Sequence, residues 1–424
     1  MCFRPLRRQA IRELCMNDVN GRVLVVGAFR FPTGDAAAAR VLGIAKSLRH
    51  GGCEVIFGGW EPRPRLVDDN GKGGFEYEGF PYVSQDEFRS GQLSALKRLL
   101  RYFLAGSNTL RWIRSMPKGS VQTVIAYQGG SLFLLRLMFL CRLRGLRLIA
   151  DCTEWYDAEG LVGGRLGIVH LDNEFRMRFV NRMIGQLVVV SQFLRDYYER
   201  RGCDVIRVPP TIDLGEPKWR HVERKANSGP LRLIYAGVPG KKDLLASVLY
   251  GLRTLKNEGK MVVLDLLGPS KEDLLLCANG DHALIDDLRD VLVFHGRVPQ
   301  ETVPGLVSRA DFSILLRPLK RVSAAGFSTK FVESLAAGVP VMANRTGDID
   351  RFVEDGRQGI LLPGVTEADF VHGVRRALAL STSELSAMRA YAMECAKEHF
   401  AYERYSESLG QFVRGGLSAG VDGS

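Results

Sequence analysis

The sequence of 424 residues lacks the features of several classes of protein. Its eight cysteines include no CxxC pair, so we predict neither a zinc site nor a disulfide framework, and we expect a reducing compartment. No run of about 20 apolar residues is present, and the N-terminus has arginines but no long apolar core or cleavage site. We therefore expect a cytoplasmic protein that neither spans a membrane nor is exported.

Acidic residues are absent from residues 88–150, which contain eleven basic ones. The net charge of +11 lies almost wholly in residues 1–215, with 31 Lys and Arg against 21 Asp and Glu. Within 88–150, LKRLLRYFL and LFLLRLMFLCRLRGLRL interleave arginine with leucine and phenylalanine, which is typical of an amphipathic surface for anionic lipid. The alternative is two core-facing helices with solvated arginines. No nucleic-acid-binding signature accompanies the charge, so we predict peripheral membrane contact and no nucleic acid partner.

The same organisation occurs twice along the chain. RVLVVGAF and, about 210 residues later, LRLIYAG are each a buried strand that ends in glycine and precedes a helical pattern. Because strand and helix patterns alternate throughout, we predict an α/β fold with two doubly wound domains. We place them at residues 1–210 and 231–398, with a linker at 211–230 and a C-terminal helix or tail at 399–424 that packs back on the first domain. Neither glycine loop matches GxGxxG or GxxxxGK[ST].

A lysine occurs at an unfavourable place in the stretch GFSTKFVESLAAGVPV, residues 326–341. Ser328 or Thr329 can cap a short helix here, so Lys330 lies at the positive helix start, at a cost of about 0.3–1 kcal/mol. Glu333 lies on the same face of the helix as Lys330. The alternative interpretation is therefore a solvated ion pair between these two side chains, although a lysine that precedes the glutamate is the less stabilising order. Lys241 and Lys242 follow the strand LRLIYAG in the same placement. We predict that an anion such as a diphosphate binds at these helix starts.

Motifs in both halves resemble one family. The C-terminal half contains LIYAGVPGKKD, VFHGRVP, ADFSILLRP, GFSTKFVESLAAGVPVMAN and DGRQGILL in that order. The N-terminal half contains the looser matches VVGAFRFPTGDAAAARVLGIAKSLRHGGCEV and VVVSQFLRDYYERRGCDVIRVPPTID. Over about residues 22–400 the chain resembles the retaining glycosyltransferases of family 4, within the glycosyl transferases group 1. The resemblance implies the GT-B fold, two Rossmann-like domains facing across a cleft, and transfer of a sugar from a nucleoside-diphosphate-sugar to an acceptor hydroxyl.

The resemblance also assigns roles in the C-terminal half. Lys242 or Lys241, together with Lys330, would bind the donor diphosphate as catalytic groups, and Glu333 would bind the ribose hydroxyls. The other donor-binding candidates are Gly326 and Phe327, through backbone N–H groups, with Ser328, Thr329 and Arg317. For Arg317 an ordinary surface role is the alternative. The segment bordering the base would be Gly296, Arg297 and Val298.

In the N-terminal half, the resemblance assigns Gly27 and Gly34 to the acceptor and diphosphate. Asp151 and Glu154, in the segment DCTEWYD after the strand LRLIA, would face the reacting sugar as catalytic candidates. Capping of the following helix is the alternative for both carboxylates. The expected acceptor is lipid-linked or belongs to a polysaccharide or glycoconjugate.

One departure from the family pattern concerns the sugar. The family often has a glutamate eight positions before the one matched by Glu333, where this chain has Ala325, so the identity of the sugar is left open. Asp348 and Asp350 form a DxD pattern, but it follows the wrong strand and lysines already neutralise the diphosphate, so we expect no metal and no cofactor. The other functions considered are a nucleotide-sugar epimerase and a non-catalytic GT-B binding protein.

Overall fold

The structure is a computed structural model that describes residues 4–6, 21–31, 35–61, 74–87, 102–219, 229–239 and 243–416. Its contacts divide the chain into two compact units, one formed by residues 1–209 with 402–424 and the other by Pro210–Ala401. The chain therefore returns to its first unit at the C-terminal end. Residues 211–219 of the segment predicted as a linker lie within the second unit, where the Ile212 N–H donates to the carbonyl of Phe400.

The described strands of the first unit form one nine-stranded sheet in the order β1-β4-β5-β3-β2-β6-β7-β8-β9. Strand β4 pairs antiparallel with β1 and β5, and the remaining pairs are parallel. The strands are β1 (Arg4–Leu6), β2 (Arg22–Gly27), β3 (Glu54–Gly59), β4 (Gly74–Tyr77), β5 (Phe80–Val83), β6 (Thr123–Tyr127), β7 (Arg147–Cys152), β8 (Gln186–Val189) and β9 (Asp204–Arg207). The sequence patterns predicted β2, β3 and β6–β9 but missed the short hairpin β4–β5.

The helices of the first unit pack against this sheet. They are α1 (Ala36–His50), α2 (Ser107–Ser115), α3 (Ser131–Arg144), α4 (Ile168–Phe175), α5 (Asn181–Ile184), α6 (Gln192–Glu199) and, from the chain end, α16 (Ser406–Arg414). A π-helical stretch, Arg176–Val180, joins α4 to α5. Leu409, Phe412 and Val413 of α16 lie in one buried cluster with Val41 and Ile44 of α1, so apolar burial holds the returning chain to the first unit.

The second unit has a six-stranded parallel sheet among its described residues, in the order β12-β11-β10-β13-β14-β15. Its strands are β10 (Leu231–Ala236), β11 (Val262–Leu267), β12 (Leu292–Gly296), β13 (Phe312–Leu315), β14 (Val341–Asn344) and β15 (Gly359–Leu362). This is the Rossmann order, in which strand succession reverses between β10 and β13. Ligands of such sheets bind beyond the carboxyl ends of the strands at that reversal.

The helices of the second unit cover both faces of the sheet. They are α7 (Leu245–Asn257), α8 (Lys271–Cys277), α9 (His282–Asp287), α10 (Val303–Val307), α11 (Arg321–Ala325), α12 (Thr329–Ala336), α13 (Ile349–Phe352), α14 (Glu367–Leu378) and α15 (Thr382–Phe400). The helix predicted around Lys330 is α12, and it buries Phe331 and Leu335 as their spacing indicated. The two doubly wound α/β domains predicted from the sequence are thus confirmed.

Candidate functional site

The best-defined candidate site lies at the strand-order reversal of the second unit. Gly237 follows β10 in a left-handed conformation, with φ +126°. A Cβ atom at this position would lie 2.7 Å from Cε of Lys330, so the absence of a side chain leaves space for the lysine. Lys330 lies in the first turn of α12, and its side chain extends to the carboxyl end of β10. The lysine therefore lies where the sheet topology predicts a ligand.

Lys330 has a carboxylate partner that the sequence analysis missed. Its Nζ donates to Oδ2 of Asp243 at 2.9 Å and to the hydroxyl of Tyr235 at 2.8 Å, and it lies 4.0 Å from the centre of the Tyr235 ring. The Tyr235 hydroxyl donates in turn to Oδ2 of Asp243 at 2.6 Å. Asp243 follows the two lysines in the sequence GKKD, so a carboxylate beside a cluster of cations was the signal that could have identified it.

Burial and charge act against each other in this network. Burial lowers the pKa of Lys330, and the carboxylate of Asp243 opposes that effect. Burial also opposes ionisation of Asp243, but the charge of Lys330, the Tyr235 hydrogen bond and the charge of Arg317 together hold its pKa below its ordinary value. The pairing of Lys330 with Asp243 thus favours the charged form of each group against the effect of burial.

Arg317 lies close to the same network, and its role in donor binding stays a prediction. Its Nε lies 3.6 Å from Oδ1 of Asp243, and its side chain is 15% exposed. The side chain of Asn344 accepts from the N–H of Arg317 and donates to its carbonyl, both at 2.9 Å, so β14 holds the loop that follows β13. One carboxylate oxygen of Asp243 therefore contacts Lys330, and the other lies near Arg317, so these three side chains include two cations and one carboxylate.

The start of α12 contains an unsatisfied polar atom. Oγ of Ser328 is buried and has no hydrogen-bond partner among the described residues. Ser328 is the N-cap residue of α12, one of the two predicted positions, but its side chain accepts no N–H of the helix. Thr329 is the first helical residue. The N–H of Gly326 donates to the carbonyl of Val322 at 3.3 Å, so this predicted phosphate donor is already used in the helix before it. The ring of Phe327 packs against Phe331, Phe352 and Phe400.

Glu333 lies one turn further along α12. Burial raises its pKa to about 7, against the opposing charges of Lys218 and Lys330. Near neutral pH the carboxyl group therefore changes between its neutral and charged forms. Carboxyl groups with a strongly shifted pKa are often found at functional sites, so Glu333 is a candidate for hydrogen bonding to hydroxyl groups of a ligand.

The remaining predicted residues of this half lie beyond the strand ends or outside the described residues. Gly296 ends β12 with φ +64°, and its carbonyl accepts the N–H of Gly268 at 2.8 Å, so the two strand-end loops are adjacent. Arg297 is exposed and Val298 is partly buried. Lys241 and Lys242 lie outside the described residues, and their predicted contacts stay predictions.

In the first unit, Gly27 ends β2 at the corresponding reversal, between β2 and β6. Its φ is +136°, and a Cβ atom there would lie 2.0 Å from the carbonyl oxygen of Tyr127, so only glycine lets these two strand ends approach this closely. Gly34, the other glycine predicted beside the acceptor, lies outside the described residues.

Asp151 has a structural partner that the sequence analysis did not predict. Its two carboxylate oxygens accept from Nε and Nη2 of Arg40, at 3.2 and 2.9 Å, and the two side chains are only 2% and 5% exposed. Nη1 of Arg40 also donates to the carbonyls of Val208 and Pro209. This buried bidentate pair connects α1 to β7, and the further hydrogen bonds of Arg40 connect α1 to the two residues that follow β9. Contact of Asp151 with the reacting sugar stays a prediction, and the structural ion pair with Arg40 is now an alternative role for this carboxylate.

We expect Asp151→Ala to lower the free energy of unfolding by about 3–5 kcal/mol, because it leaves the Arg40 charge buried and unpaired. The control is Glu199→Ala, which breaks the more exposed Arg195–Glu199 pair and should cost about 1 kcal/mol or less. Urea unfolding followed by circular dichroism measures both. The double change Arg40→Met with Asp151→Leu should recover most of the loss. A stable Asp151→Ala protein that lacks activity would instead place this carboxylate at the reaction.

Glu154 lies two residues beyond β7, near a group of polar side chains. Burial, together with the charge of Glu154 and a hydrogen bond to it, raises the pKa of Tyr156. The side chain of Gln128, which follows β6, donates to Oγ1 of Thr153 at 2.7 Å. The carboxyl ends of β6 and β7 therefore carry polar side chains at the edge of the sheet where ligands bind.

Two further findings concern metal and membrane. Within the described residues, no group of three or more His, Cys, Asp and Glu side chains is placed to hold a metal ion. Among the helices that the structure describes, none combines the length and the apolar character needed to cross a bilayer.

Known proteins resemble this chain in sequence and in fold. Residues 232–379 match the family model described as glycosyl transferases group 1. The D-inositol 3-phosphate glycosyltransferase of Arthrobacter sp. (strain FB24) is 27% identical over 253 residues, which are 54% of this chain and 57% of that protein. The chain therefore aligns with a little over half of that relative.

Solved structures match nearly the whole chain at low identity. Sucrose-phosphate synthase from Thermosynechococcus elongatus has a TM-score of 0.70 and 15% identity, and the match covers 93% of this chain and 98% of that one. Anabaena Alr3699/HepE, solved in complex with UDP and glucose, has a TM-score of 0.65 and 13% identity, with 92% and 99% covered. These likenesses establish the fold. The chain has the GT-B fold, and its segment 232–379, which contains Lys330, Arg317 and Glu333, matches the family model of the glycosyl transferases group 1.

Proposed function

We propose that the protein is a retaining, metal-independent glycosyltransferase of the hexosyl-transferring type. It moves a sugar from a nucleoside-diphosphate-sugar to a hydroxyl of a lipid-linked, polysaccharide or glycoconjugate acceptor. The observation that carries this proposal is the position of Lys330 at the start of α12. Its ammonium pairs with Asp243, which Arg317 also approaches, at the strand-order reversal of a unit whose residues 232–379 match the glycosyl transferases group 1. The buried Ser328 hydroxyl, which has no hydrogen-bond partner among the described residues, precedes the same helix.

Catalysis would be mainly electrostatic. Negative charge grows on the diphosphate as its bond to the sugar breaks, and Lys330, Arg317 and the helix start are oriented before the reaction. The acceptor hydroxyl would attack on the face that the diphosphate leaves, which retains the configuration of the sugar. Glu333 would bind the ribose hydroxyls and fix the donor without taking part in bond breaking.

A thermal-shift panel tests donor binding. We expect one of UDP, GDP, ADP and dTDP to raise the melting temperature of the protein, by an amount that grows with ligand concentration. UDP is the first to try, because the Anabaena relative was solved with it. Hydrolysis of the matching nucleotide-sugar then separates an enzyme from a non-catalytic binding protein. Conversion of the sugar without transfer or hydrolysis would favour the epimerase, and no shift with any of the four would contradict the proposal.

We expect sugar transfer to persist in excess EDTA, because lysine and arginine side chains supply the positive charge that other glycosyltransferases obtain from a metal. The measurement is the initial rate with and without EDTA, followed by addition of Mg²⁺ or Mn²⁺. Loss of activity in EDTA and its recovery with either ion would contradict metal independence and would restore the DxD interpretation of Asp348 and Asp350.

We also propose that the first unit binds anionic membranes. The exposed side chains of α3 include Leu132, Phe139 and Leu143, spaced so that they share one face. Phe139 and Leu143 are 65% and 67% exposed, with Arg142 between them exposed as well.

A second set of exposed apolar side chains lies on the helical segment 168–184 and its preceding loop: Val162, Leu166, Ile168, Leu171, Phe175, Phe179 and Met183. Apolar side chains beside arginines favour the boundary of an anionic bilayer. Residues 88–101 of the predicted basic span lie outside the described residues.

We expect the protein to float with vesicles that contain anionic lipid at low salt, and less so at high salt, because salt screens the arginines. Phe139→Ser with Leu143→Ser should lower the bound fraction about tenfold or more, since two large apolar side chains no longer enter the lipid. Leu276→Ser is the control, as this leucine is 79% exposed on α8 in the other unit. Absence of flotation at low salt would contradict the membrane proposal.

A further inference from the structure

Arg176 has an incompletely satisfied guanidinium group. This residue begins the π-helical stretch between α4 and α5 and is only 6% exposed. Its Nη1 donates to Oε1 of Gln128 at 3.0 Å and, at 3.4 Å, to the carbonyl of Gly129. Within the part of the chain that the structure describes, its Nε is buried without a partner, and no hydrogen bond of its Nη2 is found. No carboxylate among the described residues forms an ion pair with it.

The unsatisfied edge is the one that arginine uses for anions. The Nε and Nη2 groups form a planar fork that matches two oxygens of a carboxylate or phosphate. Other arginines of this chain use that edge in this way: Arg40 binds both oxygens of Asp151, and Arg232 binds both oxygens of Asp265. A buried charge is normally paired, so the open fork of Arg176 indicates an anion from outside the chain.

The surroundings of Arg176 form part of a polar site. Gln128, which accepts from Arg176, bonds Thr153, so Arg176 lies at the carboxyl ends of β6 and β7, beside the strand-order reversal of the first unit. Gln128 has φ +55°, an uncommon conformation for a residue other than glycine. Asn173, three residues before Arg176, is 5% exposed. Its buried Oδ1 has no partner among the residues that the structure describes, and it can accept from a hydroxyl group. π-helical turns such as the one that begins at Arg176 occur often at functional sites.

We propose that Arg176, supported by Gln128 and Thr153, binds a phosphate or carboxylate group of the acceptor. The assignment of that group to the acceptor rests on the proposed function, whereas the anion site itself rests on Arg176 alone. The fork donates two hydrogen bonds to two oxygens of the anion, and Asn173 accepts from a neighbouring hydroxyl. The site would therefore select acceptors that carry a negative charge.

Titration calorimetry with inorganic phosphate at low ionic strength tests the anion site in the full-length protein without any donor. We expect Arg176→Met to weaken phosphate binding about 10–100-fold, the effect of losing hydrogen bonds to a charged group. Arg176→Lys should weaken it less, because the charge remains but the fork is lost. The matched control is Arg182→Met, an exposed arginine on α5, which should bind phosphate as the unchanged protein does.

The stability of the variants separates a ligand site from a structural role. Since no described carboxylate would be left unpaired, Arg176→Met should keep or raise the melting temperature without phosphate. A fall in the melting temperature together with unchanged phosphate binding would overturn the inference, as would absence of phosphate binding by the unchanged protein. If Arg176→Met does not fold, Arg176→Lys is judged by the same binding criterion.

Further ligands identify the source of the anion. Binding of glycerol phosphate or acetate that depends on Arg176 would assign a soluble phosphate or carboxylate, and dependence seen only with phosphatidic acid vesicles would assign a lipid headgroup. Both outcomes support the site, and equal binding by Arg176→Met and the unchanged protein in every arm contradicts it. The phosphate titration contains no nucleotide-sugar donor. Its result is therefore independent of the nucleotide panel, and the anion site can be confirmed even if the glycosyltransferase proposal fails.

Discussion

Lys330→Ala is expected to lower kcat by about 10²–10³, the effect of losing one preorganised group that stabilises charge in the transition state. The ammonium of Lys330 is held by Asp243 and Tyr235 at the start of α12, where it can meet the charge of the departing diphosphate. Steady-state kinetics with saturating donor measures the effect. Lys271→Ala is the control, because Lys271 also begins a helix but is 51% exposed and paired with Asp286.

The carboxylate left behind needs its own control. Without Lys330, the charge of Asp243 would repel a diphosphate, so part of any loss could come from Asp243 and not from the missing lysine. The double variant Lys330→Ala with Asp243→Asn removes that repulsion and should still show most of the fall in kcat. Nearly unchanged kcat in both variants would mean that no anion meets this lysine, and the donor site would have to be withdrawn from this helix start.

Asp243→Asn alone reports on the charge of Lys330. Burial already lowers the pKa of this lysine, and Asp243 is the group that most strongly opposes the effect. Its removal lowers the pKa of Lys330 further, so the lysine loses its proton at lower pH. We expect the alkaline side of the profile of kcat/KM against pH to move to lower pH, a change that a merely structural aspartate would not produce.

Glu333→Gln is expected to raise the donor KM about 10–100-fold and to change kcat little. The proposed ribose hydrogen bonds are present both before and during the reaction, so their loss weakens binding equally in both states. Glu354→Gln is the control, since this carboxylate lies in the same unit with its side chain 70% exposed. A fall in kcat with KM unchanged would place Glu333 at the reacting bond.

The pH dependence of the same variant provides a second measurement. Burial raises the pKa of Glu333 to about 7 in the free protein, above the ordinary value of 4.5. The carboxyl group therefore favours the folded state most at low pH, and this contribution is lost as the pH rises through about 7. Hydroxyl donors of a ribose favour the charged form, so the donor KM of the unchanged protein should fall between about pH 6 and pH 8. Glu333→Gln should show neither dependence.

The sequence by itself determined the fold class and the main elements of the candidate donor site. Strands β2 and β10 are apolar runs that end in glycine and precede helical periodicity, and these patterns depend on neighbouring residues only. The lysine in the first turn of α12 was also visible, because helix starts carry positive charge and a cation there is unexpected. Lys330, Arg317 and the Ser328 hydroxyl do lie at the start of this helix and the adjoining strand end.

The tertiary structure decided which charges meet. Asp243 precedes Lys330 by 87 residues and Arg40 precedes Asp151 by 111, and no local pattern specifies pairs at such separations. The structure pairs Asp151 with Arg40, and among its described residues no carboxylate pairs with the fork of Arg176, although carboxylates occur nearby in the sequence. The physical reason is that the free energy of a buried charge depends on which groups the folded chain brings within hydrogen-bond distance, and strand order sets that arrangement.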